Sequence, residues 1–326
     1  MNLNEAFEQL HNNLKLDPDE LAAARDLHNR LGDHLVACGI AKRTRLQGSL
    51  ARGTMRAPLK DIDKIIELSD DIAAELDRPG GPALAMARIA ASLASFEEAC
   101  TVDFGTHALQ ITVAGFTFTF DAVPAIHSED CAPPLLRIAN TDDDAWEASN
   151  AYRLIETIAE RNQKLDGVFI HQVRMVKQAA AACDLDIPGI HIEAFAYQAL
   201  HKKHTHPTAV GLVFTKAAEM LAGDYNDPTG EDQISDRLGP NEKERARDGF
   251  ADLADRAERA VEAASTGDER KALGIWAEVF GDPFPEPESY ADFLKSLSFG
   301  CGVDKAGQPT AEDAATRTRA WAPQRL

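Results

Sequence analysis

The sequence predicts an α+β protein in two lobes, a mixed sheet with flanking helices followed by a helical lobe. Residues 101–126 carry the clearest alternation of apolar and polar side chains, the period of strands. From about residue 145 onward the apolar spacing is helical. Between them lie a Pro133-Pro134 break and an acidic loop at Asp142, Asp143 and Asp144, which place a lobe boundary near 130–150. The expected division is 1–145, 146–290 and a loosely packed tail at 291–326.

Taken in order, Phe7, Leu10 and Leu14 space a short helix over 5–14. Asp17-Pro18 reads as an N-cap and first-turn proline, opening a helix that carries Ala24, Leu27, Leu31 and Leu35 to about Cys38. A short strand-like segment, Arg43 to Gln47, leads into the loop Gly48-Ser49-Leu50-Ala51-Arg52-Gly53-Thr54. Asp61 to Leu68 reads as a strand, and 70–77 and 82–99 as helices. Ala108–Val113 and Phe116–Val123 alternate about Ala114-Gly115, the pattern of an antiparallel hairpin. Further helices are expected at 145–164, 168–183, 190–204, 208–222, 241–265 and 268–280, with a long loop at 223–240.

Bulk properties narrow the function. The 44% hydrophobic and 27% charged fractions are those of a globular protein, and no run approaches a membrane span of roughly 18 apolar residues. The first residues lack the basic and apolar blocks of a secretory signal, so a cytoplasmic location is expected. Five scattered cysteines read as unpaired thiols. The net charge of −19 repels phosphate backbones, which disfavours a nucleic-acid partner and gives any bound nucleotide a need for metal ions.

The chemistry is concentrated in three aspartates. Asp61 and Asp63 alternate on one strand, so both project from the same face, roughly 7 Å apart. Carboxylates so placed repel unless a cation lies between them, and a hard divalent ion with oxygen ligands is the usual solution. Just upstream, Gly48 lets the backbone approach a phosphate, Ser49 adds a hydroxyl, and exposed N–H groups at a helix start complete an anion cradle. Asp121 supplies a third carboxylate: in Phe116-Thr117-Phe118-Thr119-Phe120-Asp121 the phenylalanines share one face and Asp121 the other. Asp103 is its rival, on a shorter alternation. Three carboxylates facing a phosphate cradle suit two-metal transfer of a nucleotidyl group, which clamps attacking and leaving oxygens together.

Gly48 to Thr54, Asp61-Ile62-Asp63 and Asp121 together resemble the active-site signature of the DNA polymerase β-like nucleotidyltransferase superfamily. Within it, the chain is most similar to the bacterial cGAS/DncV-like nucleotidyltransferases (CD-NTases). Val173-Arg174-Met175-Val176-Lys177 with Ile190-His191-Ile192-Glu193 resembles that family's helical pair. Trp276 to Gly281 with Phe284-Pro285 resembles its closing segment, so the likeness spans roughly 15–290.

The resemblance implies a bilobal polymerase β-like fold, with an N-terminal helix and catalytic lobe in 1–145 and a helical lobe in 146–290 that completes the nucleotide site. It implies synthesis of a cyclic di- or trinucleotide from nucleoside triphosphates, and two Mg2+ or Mn2+ ions on Asp61, Asp63 and Asp121. It also implies a place in CBASS anti-phage defence, with regulatory or effector proteins of a defence operon as partners. Gly48, Ser49 and Arg52 fall in the nucleotide site, and the lysine matching Lys177 contacts the donor triphosphate. A serine is common at the place of Gly189, whose backbone N–H is the substitute available here. Lys64 also departs from the family, in which that position is usually apolar. Superfamily relatives that modify RNA or protein, and a nucleotide-binding module without turnover, are the alternatives.

Other features read as structural. His201, His204 and His206 suit a polar helix end more than a metal site. Trp146 and Tyr152 fit either a stacking role at the lobe junction or core packing, and Arg52 either the loop and a phosphate or the surface.

Overall fold

The computed structural model describes residues 1–128 and 135–285. Helix α1 (Leu3–Asn13) is closed at its start by a capping box between Asn2 and Glu5, and α2 (Pro18–Ala37) by the Asp17 carboxylate, which accepts from the N–H groups of Asp19 and Glu20. Strand β1 (Ala41–Leu46), the short helix α3 (Gly48–Ala51) and β2 (Asp61–Leu68) follow. Helices α4 (Asp70–Leu76) and α5 (Gly81–Leu93) then cross to β3 (Cys100–Phe104), β4 (Leu109–Val113) and β5 (Thr119–Ser128).

The sheet order is β1-β2-β5-β4-β3, with β2 and β5 parallel and the other pairs antiparallel. Two further strands, β6 (Leu135–Asn140) and β7 (Ala145–Ser149), extend the sheet beside the far half of β5. These two strands correct the helix expected over 145–164: α6 (Ala151–Lys164) begins only after β7. Pairing with β5 buries Leu136 and Ala139, and the Trp146 Nε1–H donates to the Leu76 carbonyl at 2.9 Å. Tertiary pairing here outweighs the helical propensity of Ala145 and Ala148.

The helical half comprises α7 (Phe169–Ala182), α8 (Gly189–Ala199), α9 (His206–Met220), α10 (Pro240–Ser265) and α11 (Glu269–Phe280). Several ends fall short of the sequence expectation. α5 stops at Leu93 rather than 99, where the Ser92 and Ser95 hydroxyls take up the carbonyls of Ile89 and Ser92, and Glu97 and Glu98 turn to Arg30. α8 stops at Ala199 rather than 204 because Arg161 Nη1 caps the Tyr197 and Leu200 carbonyls. β5 starts at Thr119 rather than 116, where the Thr119 N–H first reaches the Lys60 carbonyl.

Two large cores result. One lies behind the sheet, between Ile62, Ile66 and Phe120 and the inner faces of α2 (Leu27, Leu31, Leu35) and α5 (Met86, Ile89). The other fills the helical half around Phe169, Val173, Phe195, Phe214 and Trp276. Phe7 and Leu10 of α1 belong to this second core, with the Phe7 ring edge-on to Trp276 and Phe280. The first helix thus packs with the helical half, not with the lobe in which its position in the sequence puts it. The tail expected at 291–326 lies outside the described residues. No described helix is long and apolar enough to cross a membrane. Cys38 is exposed and unpaired; Cys100 and Cys183 are half-buried free thiols.

Candidate active site

Parallel pairing of β2 with β5 sets Asp63 opposite Asp121 and Asp61 opposite Thr119. Paired residues share a face, so the three carboxylates stand on one side of two neighbouring strands about 5 Å apart. Their crowding shows in their acidity. Burial raises the Asp63 carboxyl above its ordinary value, Asp121 and Asp61 add to the rise, and Arg52 opposes it. Burial and then Asp61 raise Asp121, against a hydrogen bond from Gln110. An all-oxygen, strongly anionic donor set of this kind fits hard divalent cations. As the side chains stand, no three described His, Cys, Asp or Glu groups are gathered tightly enough to hold an ion. Asp61 is turned aside, its Oδ1 accepting from the Thr119 hydroxyl at 3.2 Å.

The loop after β1 is pressed onto this wall. The Gln47 N–H donates to the Asp63 carbonyl at 2.9 Å, and Gly48 has φ +67° with no room for a side chain: a Cβ there would stand 1.6 Å from Asp63 Oδ2. Both the backbone sign and the space demand glycine. The first-turn N–H groups of α3, at Gly48, Ser49 and Leu50, have no acceptor within the helix and open beside the aspartates.

From the helical half, α7 and α8 reach the other end of the same loop. Arg174 donates from Nε and Nη2 to the Gly53 carbonyl at 3.0 and 2.7 Å. Lys177 Nζ donates to Glu193 Oε1 at 2.8 Å and to Thr54 Oγ1 at 3.2 Å. Arg52 Nε donates to Glu193 Oε2 at 2.6 Å, and the Thr54 hydroxyl makes a short hydrogen bond to Glu193 Oε1. Burial alone would raise the Glu193 carboxyl, but Lys177 and Arg52 hold it down to about 2. Burial lowers the Lys177 ammonium against the pull of Glu193. Gly189, the first residue of α8, faces this lysine: a Cβ there would lie 2.8 Å from Lys177 Nζ.

Gly48, Ser49, Arg52, Asp61, Asp63, Asp121, Lys177 and Gly189 are therefore brought to one region. Sequence reasoning assigned no role to Glu193, although a glutamate among Ile190, Ile192, Ala194 and Phe195 was a signal of a buried ion pair. Asp103 sits apart on the edge strand β3, with β4 between it and Asp121. Lys64 points away from Asp63, buried behind the sheet, its Nζ donating to the His28 carbonyl at 2.6 Å. Trp146 packs into the core behind the sheet, and the Tyr152 hydroxyl donates to buried Glu67 at 2.6 Å beneath Arg45. His206 lies over Phe7 beside Glu8.

The fold is that of a polymerase β-like nucleotidyltransferase. Residues 1–162 match the model of the Second Messenger Oligonucleotide or Dinucleotide Synthetase domain. Residues 1–162 belong to that domain family, and the fold of the chain is similar to that of the bacterial cGAS/DncV-like nucleotidyltransferases, the CD-NTases. No curated protein sequence matches the chain. Among solved structures, it is similar to CdnC of E. coli MS115-1 in its complex with HORMA-deltaN, at 18% identity and TM-score 0.68, over 86% of this chain and 98% of that one. Similar too is CdnG of Bradyrhizobium diazoefficiens in complex with GTP, at 13% identity and TM-score 0.68, over 91% and 98%. Vibrio cholerae DncV cyclic AMP-GMP synthase, with a linear intermediate, matches at 17% identity and TM-score 0.57, over 74% and 69%.

Proposed function

We propose that this protein joins nucleoside triphosphates into a cyclic di- or trinucleotide second messenger, releasing pyrophosphate. The observation that carries the reading is the register of β2 and β5, which sets Asp63 beside Asp121 on the face where Gly48-Ser49 opens its N–H groups. Asp61, Asp63 and Asp121 would hold Mg2+ or Mn2+. Two such ions supply charge neutralisation at the triphosphate and a lowered pKa at the attacking hydroxyl. The chain's own groups do the positioning. The α3 N–H groups, the Ser49 hydroxyl, Arg52 and Lys177 receive the donor's phosphates, and the Gly189 N–H stands where a serine would help. The acidic surface keeps long polyanions away, which favours free nucleotides as acceptors. A cytoplasmic enzyme of CBASS anti-phage defence, controlled by proteins of its operon, is the setting this reading implies.

Incubation with the four labelled ribonucleoside triphosphates and Mg2+ tests it. The wild type should yield a phosphatase-resistant small product, and Asp61→Asn/Asp63→Asn none. Label on tRNA or protein instead would favour transfer to a macromolecule. Nucleotide binding without pyrophosphate release would leave only a binding module.

A further inference from the structure

Three consecutive loop residues, Arg52, Gly53 and Thr54, are each held by the helical half. Arg174 of α7 takes the Gly53 carbonyl, and Glu193 of α8 takes the side chains on either side of it. Glu193 is wholly buried, and its carboxylate is satisfied by Arg52, Thr54 and Lys177. Its two cations come from different halves of the molecule: Arg52 follows α3 and Lys177 lies on α7. The same loop begins at Gly48, in contact with Asp63.

We propose that Glu193 is a positioning residue of the donor nucleotide site, fixing the phosphate loop and Lys177 in one frame so that both address the same triphosphate. The inference rests on the functional reading above. Buried ion pairs are poor sources of net stability, because desolvation offsets their attraction. What a buried carboxylate with three donors does supply is fixed geometry. Gly189 fits the arrangement. A Cβ there would stand 2.8 Å from Lys177 Nζ and 3.0 Å from its Cε, so glycine leaves the lysine room to lie against the start of α8 within reach of Glu193.

The test measures ATP, GTP, CTP and UTP affinity in Mg2+ by calorimetry, melting temperature, and steady-state KM and kcat for Glu193→Gln and Thr54→Val. Glu193→Gln keeps the shape and removes the charge. It should raise Kd and KM about tenfold or more, with a smaller change in kcat, as expected when contacts made equally in the ground and transition states are weakened. Thr54→Val removes one donor and should raise Kd in the same direction at near wild-type melting temperature. Folded Glu193→Gln with wild-type Kd and KM overturns the inference, even if its melting temperature falls, because that is the pattern of a purely structural pair. Should Glu193→Gln fail to fold, Thr54→Val decides, and an unchanged Kd overturns it. A wild type that binds none of the four nucleotides overturns the functional reading and this inference with it.

Discussion

Replacing Gly48 by alanine tests whether the loop must touch the aspartate wall. Two costs arise, and they are separable. A side chain at φ +67° is strained by about 1–2 kcal/mol. The new Cβ would also stand 1.6 Å from Asp63 Oδ2, where contacts closer than 3.0 Å are essentially never seen, so loop or carboxylate must retreat by about 1.4 Å. A displacement near 1 Å between phosphate cradle and catalytic carboxylates should cost about a hundredfold in rate. Gly53→Ala is the internal control: its φ of +69° carries the same strain, but its Cβ would meet only Ile170 Cδ1, at 3.4 Å. The assay is pyrophosphate release at saturating nucleotide and Mg2+, with thermal melting alongside. Both variants should melt below the wild type, Gly48→Ala the lower because it carries the clash as well as the strain, while only Gly48→Ala loses about two orders of magnitude in rate. A Gly48→Ala enzyme as fast as Gly53→Ala would refute the reasoning.

Asp63→Asn should abolish turnover and, at pH 7.5 in EDTA, raise the melting temperature by about 2 °C, since burial and its neighbouring aspartates disfavour the charge. A lower melting temperature would show that Arg52 more than offsets them. Glu67→Gln should destabilise by about 2–3 kcal/mol at pH 7, below the usual cost of breaking a fully buried pair because Arg43 and Arg45 are half exposed. Burial works to raise the Glu67 carboxyl, but hydrogen bonds from Tyr152, Arg43 and His127 leave it below its ordinary 4.5. Its contribution is therefore complete above that value and is lost as the pH falls through the folded value. Denaturant melts of both proteins should converge in acid, and a gap that persists there would count against the ion-pair account. Trp146→Phe should lose about 1 kcal/mol with the hydrogen bond to Leu76 and keep its kcat; a large fall in kcat would return Trp146 to the substrate.

Much of the aspartate wall was legible because strand alternation is local. Asp61, Asp63 and Asp121 declare their faces within a few residues, and parallel pairing needed only to bring those faces together. The hydrogen bond that Asp61 accepts was not legible, since its donor Thr119 lies 58 positions away. β7 was hidden because Ala145 and Ala148 run without a break into the helical spacing of α6, and only pairing with β6, itself paired to β5, gives them a reason to extend. Lys64 looked like a defect in the signature while its direction was unknown; it faces the His28 carbonyl behind the sheet. Glu193 has no visible task in the sequence, because its partners Arg52 and Thr54 lie some 140 residues upstream.

The placement of α1 has a mechanical consequence. Because α1 belongs to the helical core and α2 to the core behind the sheet, the backbone crosses between the halves twice, at residues 14–17 and again at Asn150. The first crossing is pinned further where the Ala57 N–H donates to the Leu14 carbonyl. A body joined at one strap can swivel freely, whereas one joined at two turns about the line between them, as a door does. Any relative motion of the two halves would thereby be confined to a swing about that one line.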